Sequence, residues 1–184
     1  MRIIAGRFRG RALQPPADLS IRPTADRVRE SIFNILASRL GPSLDGKRVL
    51  DLFAGTGAMG LEALSRGAAH VVFVDTGAEA RGLIRDHIEA FGAGGIAKLL
   101  RRDATALGPA GTLGPFDLVF LDPPYAKGLG EQALVSLRDG GWLATNATIV
   151  LEESSEADLA LQEGFELDDR REYGAAALHF IRPV

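Results

Sequence analysis

The chain contains no cysteine among its 184 residues. That absence excludes disulfides, thiolate metal ligands and a cysteine nucleophile. No apolar run approaches the roughly 18 residues that span a bilayer. There is no internal repeat, no low-complexity tract and no long linker. Met1-Arg2-Ile3-Ile4 leads straight into basic, glycine-rich sequence, without the apolar core or small-residue cleavage site of a secretory leader. The expectation is a cytoplasmic protein that needs no membrane and no metal.

The rest of the composition is ordinary for a globular protein, with 46% apolar and 24% charged residues. One domain over residues 1–184 is expected, with residues 1–40 forming a basic extension and a helix packed on its core. Charge is unevenly placed. The net value is −3, yet residues 1–30 hold Arg2, Arg7, Arg9, Arg11, Arg22, Arg27 and Arg29 against Asp18, Asp26 and Glu30. A basic arm on an acidic body is the footprint of a polyanion-binding protein, and guanidinium forks match phosphate geometry. A solvated arginine-rich edge is the plainer alternative.

Hydrophobic periodicity gives the organisation. Short strands broken by Gly6 and Gly10 are expected in residues 1–13. Thr24 is placed to cap a helix running to Leu40, whose apolar face is Val28, Ile32, Ile35, Leu36 and Leu40. From Lys47 strands and helices alternate, which implies βαβ units and a parallel sheet. The expected strands are 48–52, 71–75, 97–101, 116–121 and 148–152. Helices are expected at 58–66, 79–91 and 131–137. Residues 165–172 and 176–182 read as an antiparallel pair at the sheet edge. The fold class is therefore α/β, a Rossmann-like open and mostly parallel sheet with an antiparallel edge hairpin and helices on both faces.

Two motifs follow apolar strands and so fall on the rim where such sheets bind ligands. The first is Asp51-Leu52-Phe53-Ala54-Gly55-Thr56-Gly57. Gly55 to Gly60 satisfies G-x-G-x-x-G, so an NAD enzyme must be weighed. Two details favour S-adenosylmethionine instead. Phe53 and Ala54 separate the strand end from the first glycine, and the Asp51 carboxylate would repel a pyrophosphate but suit a cationic methionine group. Asp75, with Thr76 after it, is placed for ribose hydroxyls, which both cofactors carry. Asp103-Ala104 is placed for the adenine amino group, although an Asp there also serves as a cap.

The second motif is Asp122-Pro123-Pro124-Tyr125. An exocyclic base nitrogen is a poor nucleophile because its lone pair is delocalised into the ring. The Asp122 carboxylate and the Pro123 carbonyl can accept both amino hydrogens, which favours a more tetrahedral nitrogen. Pro123 and Pro124 stiffen the backbone and aim those acceptors in advance. Tyr125 offers a ring on which an extruded base can stack, worth about 1–3 kcal/mol. Methylation at pyrimidine C5 needs a thiolate, so the acceptor should be an exocyclic amine. An Asp-initiated turn beside a buried Tyr is the structural alternative. Structural roles are expected for His70, His87, His179 and Trp142, and a solvated strand end for Glu152-Glu153.

These motifs resemble those of class I amino-methyltransferases. Residues 2–11 (RIIAGRFRGR), 22–34 (RPTADRVRESIFN) and 61–68 (LEALSRGA) are similar to the RsmD family. That resemblance covers nearly the whole chain. It implies methylation of guanine N2 at position 966 of 16S ribosomal RNA in the small subunit, from S-adenosylmethionine. It further implies that Asp122, Pro123 and Tyr125 hold guanine N2. The cofactor would meet Asp51, Gly55, Gly57, Asp75 and Asp103, and the arm would meet RNA. Thr76 and Gly77 depart from the larger polar residues expected after the acid. Rival readings are a DNA adenine or cytosine amino-methyltransferase, a protein-glutamine methyltransferase and a non-enzymatic RNA-binding module.

Overall fold

The computed structural model describes residues 1–17, 21 and 24–184. Arg22, one of the arginines expected to meet RNA, lies outside the described residues. The elements run α1 (Asp26–Leu40), β1 (Arg48–Leu52), α2 (Ala58–Ser65), β2 (His70–Val74), α3 (Ala78–Ala90) and β3 (Ala97–Leu100). They continue with β4 (Phe116–Leu121), α4 (Leu129–Asp139), β5 (Leu143–Ser154), β6 (Phe165–Tyr173) and β7 (Ala176–Pro183).

The strands form one sheet in the order β3-β2-β1-β4-β5-β7-β6. Pairings among β1 to β5 are all parallel, while β7 runs antiparallel to both β5 and β6. The central strands read Val49-Leu50-Asp51-Leu52 and Leu118-Val119-Phe120-Leu121, and all eight residues are buried. Apolar side chains on both sides of a strand require cover on both faces of the sheet. One face is packed by α1, α2 and α3 through residues such as Phe33, Leu36, Leu61, Leu64 and Ile84. The other is packed by α4 and the 104–113 segment through Leu107, Leu134 and Leu137, with Trp142 from the turn before β5. From β1 the chain builds outward to β2 and β3, and from β4 outward to β5. The order thus reverses between β1 and β4, leaving a crevice at their C-terminal ends.

Four local expectations are corrected. The N-cap of α1 is Ala25, not Thr24, and it makes no side-chain cap bond. The Thr24 hydroxyl turns instead toward Asp122, 3.4 Å from its Oδ2. Residues 1–13 are a hairpin-like loop with a single bridge, Arg2 to Ala12, rather than short strands. Gly6 and Gly10 turn it at φ of +85° and +83°. Strand β5 starts earlier than its apolar run, because Leu143 pairs with Phe116 before the register shifts to Thr148 opposite Leu118. Glu153 is buried rather than solvated, 4% exposed.

Candidate active site

The crevice between β1 and β4 opens into a cavity of about 880 Å³. It is lined by Asp51, Phe53, Ala54, Gly55, Thr56, Asp75, Thr76, Asp103, Ala104 and all of Asp122 to Tyr125. Both sequence motifs therefore meet in one space. Of the candidate site residues outside the arm, only Gly57 is not on the wall. It stands behind it as the left-handed N-cap of α2, with φ +79°. Among the described residues five acids reach the cavity, Asp51, Asp75, Glu79, Asp103 and Asp122, against one base, Arg102. Sequence reasoning missed Glu79, in the first turn of α3, and Arg102, in the loop after β3, beside the residues it did find.

Each part of the cofactor loop has a physical reason. Asp51, the penultimate residue of β1, is almost wholly buried, and its Oδ2 accepts the Gly60 N–H at 3.0 Å. Burial pushes its carboxyl up to about 8, opposed by that N–H and assisted by the nearby Asp75 charge. Gly60 must be glycine, since a Cβ there would stand 2.3 Å from Cε1 of Phe73. Asp75 accepts the Gly55 N–H at Oδ2 (2.9 Å) and the Gly77 N–H at Oδ1 (2.8 Å). Those bonds fix its carboxylate while leaving lone pairs that can accept from hydroxyls. Asp103 accepts from the Thr105 N–H and hydroxyl at Oδ1, which holds its carboxyl below the usual range. It closes a local turn on Thr105 rather than capping a helix, since the next element is β4.

Among the described residues only Phe53 (φ +54°) and Ala126 (φ +59°) are non-glycine residues with positive φ. One lies in each motif's loop. Such strain costs roughly 1–3 kcal/mol per residue and persists only where neighbours enforce it.

The arm is fastened to α2 and α3. Glu62 is fully buried and accepts the Ile4 and Ala5 N–H groups at 2.9 and 3.1 Å. It also pairs with Arg29 at 3.4 Å and Arg66 at 3.0 Å. Arg29, counted with the arm's surface charge on sequence, is buried completely and donates to the Arg2 carbonyl. It is a structural cation. Arg7, Arg9, Arg11 and Arg27 are exposed, and so is Arg2, which donates to the Gly10 carbonyl at 2.7 Å. Arg7 lies 4.7 Å over Phe8, and Arg11 lies 4.5 Å over Phe91, with the two rings 5.0 Å apart. None of these arginines lines the cavity.

His87 joins the arm to the cofactor loop. Its Nε2 accepts the Gln14 N–H at 2.9 Å, which puts the ring proton on Nδ1, 3.1 Å from the Thr56 carbonyl. Burial holds its pKa below the usual value, so the ring stays neutral in that role. Trp142 is core, stacked on Phe116 and donating to the Gly108 carbonyl.

Comparisons with known proteins bear on the family and the fold. The model of the family described as Conserved hypothetical protein 95 matches residues 1–182. Ribosomal RNA small subunit methyltransferase D of Escherichia coli is 40% identical over 86% of this chain and 77% of that protein. YlbH of Bacillus subtilis is 39% identical over 95% of this chain and 94% of that protein. The solved structure of Escherichia coli yhhF superposes with a TM-score of 0.84 at 34% identity, covering 100% of this chain and 97% of that one. With an open sheet of the class I methyltransferase type and relatives matching nearly end to end, this chain belongs to the RsmD family.

Proposed function

We propose that this protein transfers a methyl group from S-adenosylmethionine to the exocyclic N2 of a guanine in 16S rRNA, within the cytoplasmic small ribosomal subunit or its assembly intermediate. The observation that carries the reading is the meeting of Asp51 and Asp122 to Tyr125 in one acid-lined cavity. An acidic wall opposes the pyrophosphate of NAD and favours a cationic cofactor, which supports S-adenosylmethionine over NAD. The printed name of the Escherichia coli relative supports small-subunit rRNA as the acceptor.

The residues present fit that cofactor. Asp51 would take its ammonium group, Asp75 its ribose hydroxyls, and Asp103 with Ala104 its adenine edge, along the loop of Phe53 to Gly57 and Thr76. Bound there, S-adenosylmethionine supplies an electrophilic methyl group. The chain's own part is to orient the acceptor. Asp122 and the Pro123 carbonyl hold the two amino hydrogens, Pro124 stiffens the turn and Tyr125 stacks on the base, so the nitrogen lone pair faces the methyl group. The exposed arginines of the arm, Arg2, Arg7, Arg9, Arg11 and Arg27, with Arg22, would meet phosphates.

Tritiated S-adenosylmethionine offered with small subunits, free rRNA, DNA and protein fractions tests this. Label in rRNA at a guanine N2 is expected; label confined to protein or DNA overturns it.

A further inference from the structure

Two acids stand at equivalent places beside the two loops of the site, and only one of them belongs to the cavity wall. Asp75 follows β2, the neighbour of β1, and holds the Gly55 N–H in the loop after β1. Glu153 lies near the end of β5, the neighbour of β4, and holds the Ala126 N–H at 2.9 Å in the loop after β4. The same Oε1 accepts the Ser154 N–H at 2.7 Å. Each acid therefore grips a loop containing one strained residue, Phe53 in one and Ala126 in the other.

We propose that Glu153 is a positioning residue for methyl transfer: its buried carboxylate pins the Ala126 N–H, holds that residue left-handed, and so fixes the direction of Asp122 to Tyr125. The inference rests on the reading that this tetrapeptide holds the acceptor amine. Its physical basis is local. Ala126 directly follows Tyr125 and has a Cβ that disfavours φ of +59°. Something must hold it there, and a carboxylate accepting its N–H is stronger than a neutral acceptor. Glu153 can serve because it is rigid: it sits inside the β5–β7 ladder opposite Ala177, 4% exposed. It does not line the cavity, so its effect on the reaction passes through the loop.

The test compares Glu153→Ala, Glu153→Gln and the double change Glu153→Ala with Ala126→Gly. The Gln amide oxygen accepts the same N–H groups, so E153Q should keep at least half of kcat. E153A should lower kcat about tenfold or more, with the Kd for adenosyl-homocysteine within twofold and faster amide exchange at Ala126. Glycine adopts positive φ without penalty, so A126G in the E153A background should recover most of the lost kcat. If E153A does not fold, Ala126→Val and Ala126→Gly read the same loop: valine should lower kcat and glycine should not. E153A with wild-type kcat overturns the proposal, as does an E153Q variant as impaired as E153A or a double variant without recovery. Amide exchange at Ala126 is read without substrate. Slow exchange in E153A would refute the pinning itself, whereas a wild type that transfers no methyl to rRNA refutes the functional reading instead.

Discussion

The loops after β1 and β4 leave adjacent parallel strands, face the same cavity and each contain one non-glycine residue at positive φ. Their chemistry is nevertheless opposite. The first is rich in glycine and presents backbone at close range, flanked by Asp51 from β1 and Asp75 from the end of β2. The second is rich in proline and presents acceptors that have little freedom to move. Binding a cationic cofactor calls for charge and close approach, whereas activating an amine calls for directions fixed before it arrives. The arm differs from both loops: among its described residues it contributes exposed guanidinium groups but none to the cavity wall.

That division can be broken experimentally. The largest effect should come from Asp122→Ala, which should reduce transfer by about 10²–10³-fold or more while leaving cofactor affinity within several-fold. Parallel loss of both, measured by single turnover and calorimetry, would erase the distinction between the loops. Asp51→Asn should do the reverse, weakening cofactor binding by about 10–100-fold, the worth of a charge-assisted bond.

Asp51 also gives a pH signature. Its folded pKa of about 8 exceeds the unfolded 3.8, so the free folded protein keeps a proton that the unfolded chain releases. Its contribution to stability is present below pH 3.8 and is lost as pH rises toward about 8. A cationic ligand prefers the ionised carboxyl, so affinity should rise with pH toward about 8, by up to about tenfold per unit. Calorimetry in buffers of different ionisation enthalpy should register proton release, and D51N should flatten both effects.

Replacing Arg7, Arg9 and Arg11 by Ala should weaken RNA binding and lower its salt slope by about one unit per lost phosphate contact. Cofactor affinity should not change; filter binding across a salt series reads the slope. The smallest effect belongs to Thr24→Val. A hydroxyl 3.4 Å from Asp122 is at the far limit of hydrogen bonding, and kcat should fall less than about threefold.

Much of this was legible from local pattern. Strands 48–52 and 116–121 have the bounds their apolar runs predict, because a central parallel strand has no solvent face to interrupt it. The convergence of the two motifs followed from placing each at a strand's C-terminal end. Charge was read less well, because a count treats every arginine alike. Arg29 lies one turn before Phe33 on the buried face of α1, so helical spacing carried a signal that composition concealed. Glu153 had a similar signal, since Ile149, Leu151 and Glu153 alternate onto one face of β5. Arg29 and Glu153 each have a local partner in Asp26 and Ser154, but Glu62 and Ala126 lie 33 and 27 residues from them in sequence, and no local rule supplies those contacts. The misreading of Thr24 has the same origin, since its contact is 98 residues distant.

The buried carboxylate of Glu62 has a practical corollary. It receives two amides from the first five residues while sitting on the helix that opens at Gly57. Trimming the amino terminus would remove two of the donors that hold this buried anion, leaving it to Arg29 and Arg66, and disturb the helix behind the glycine turn. A truncated variant would then lose cofactor and RNA together, and only point changes at exposed arginines can tell the two apart.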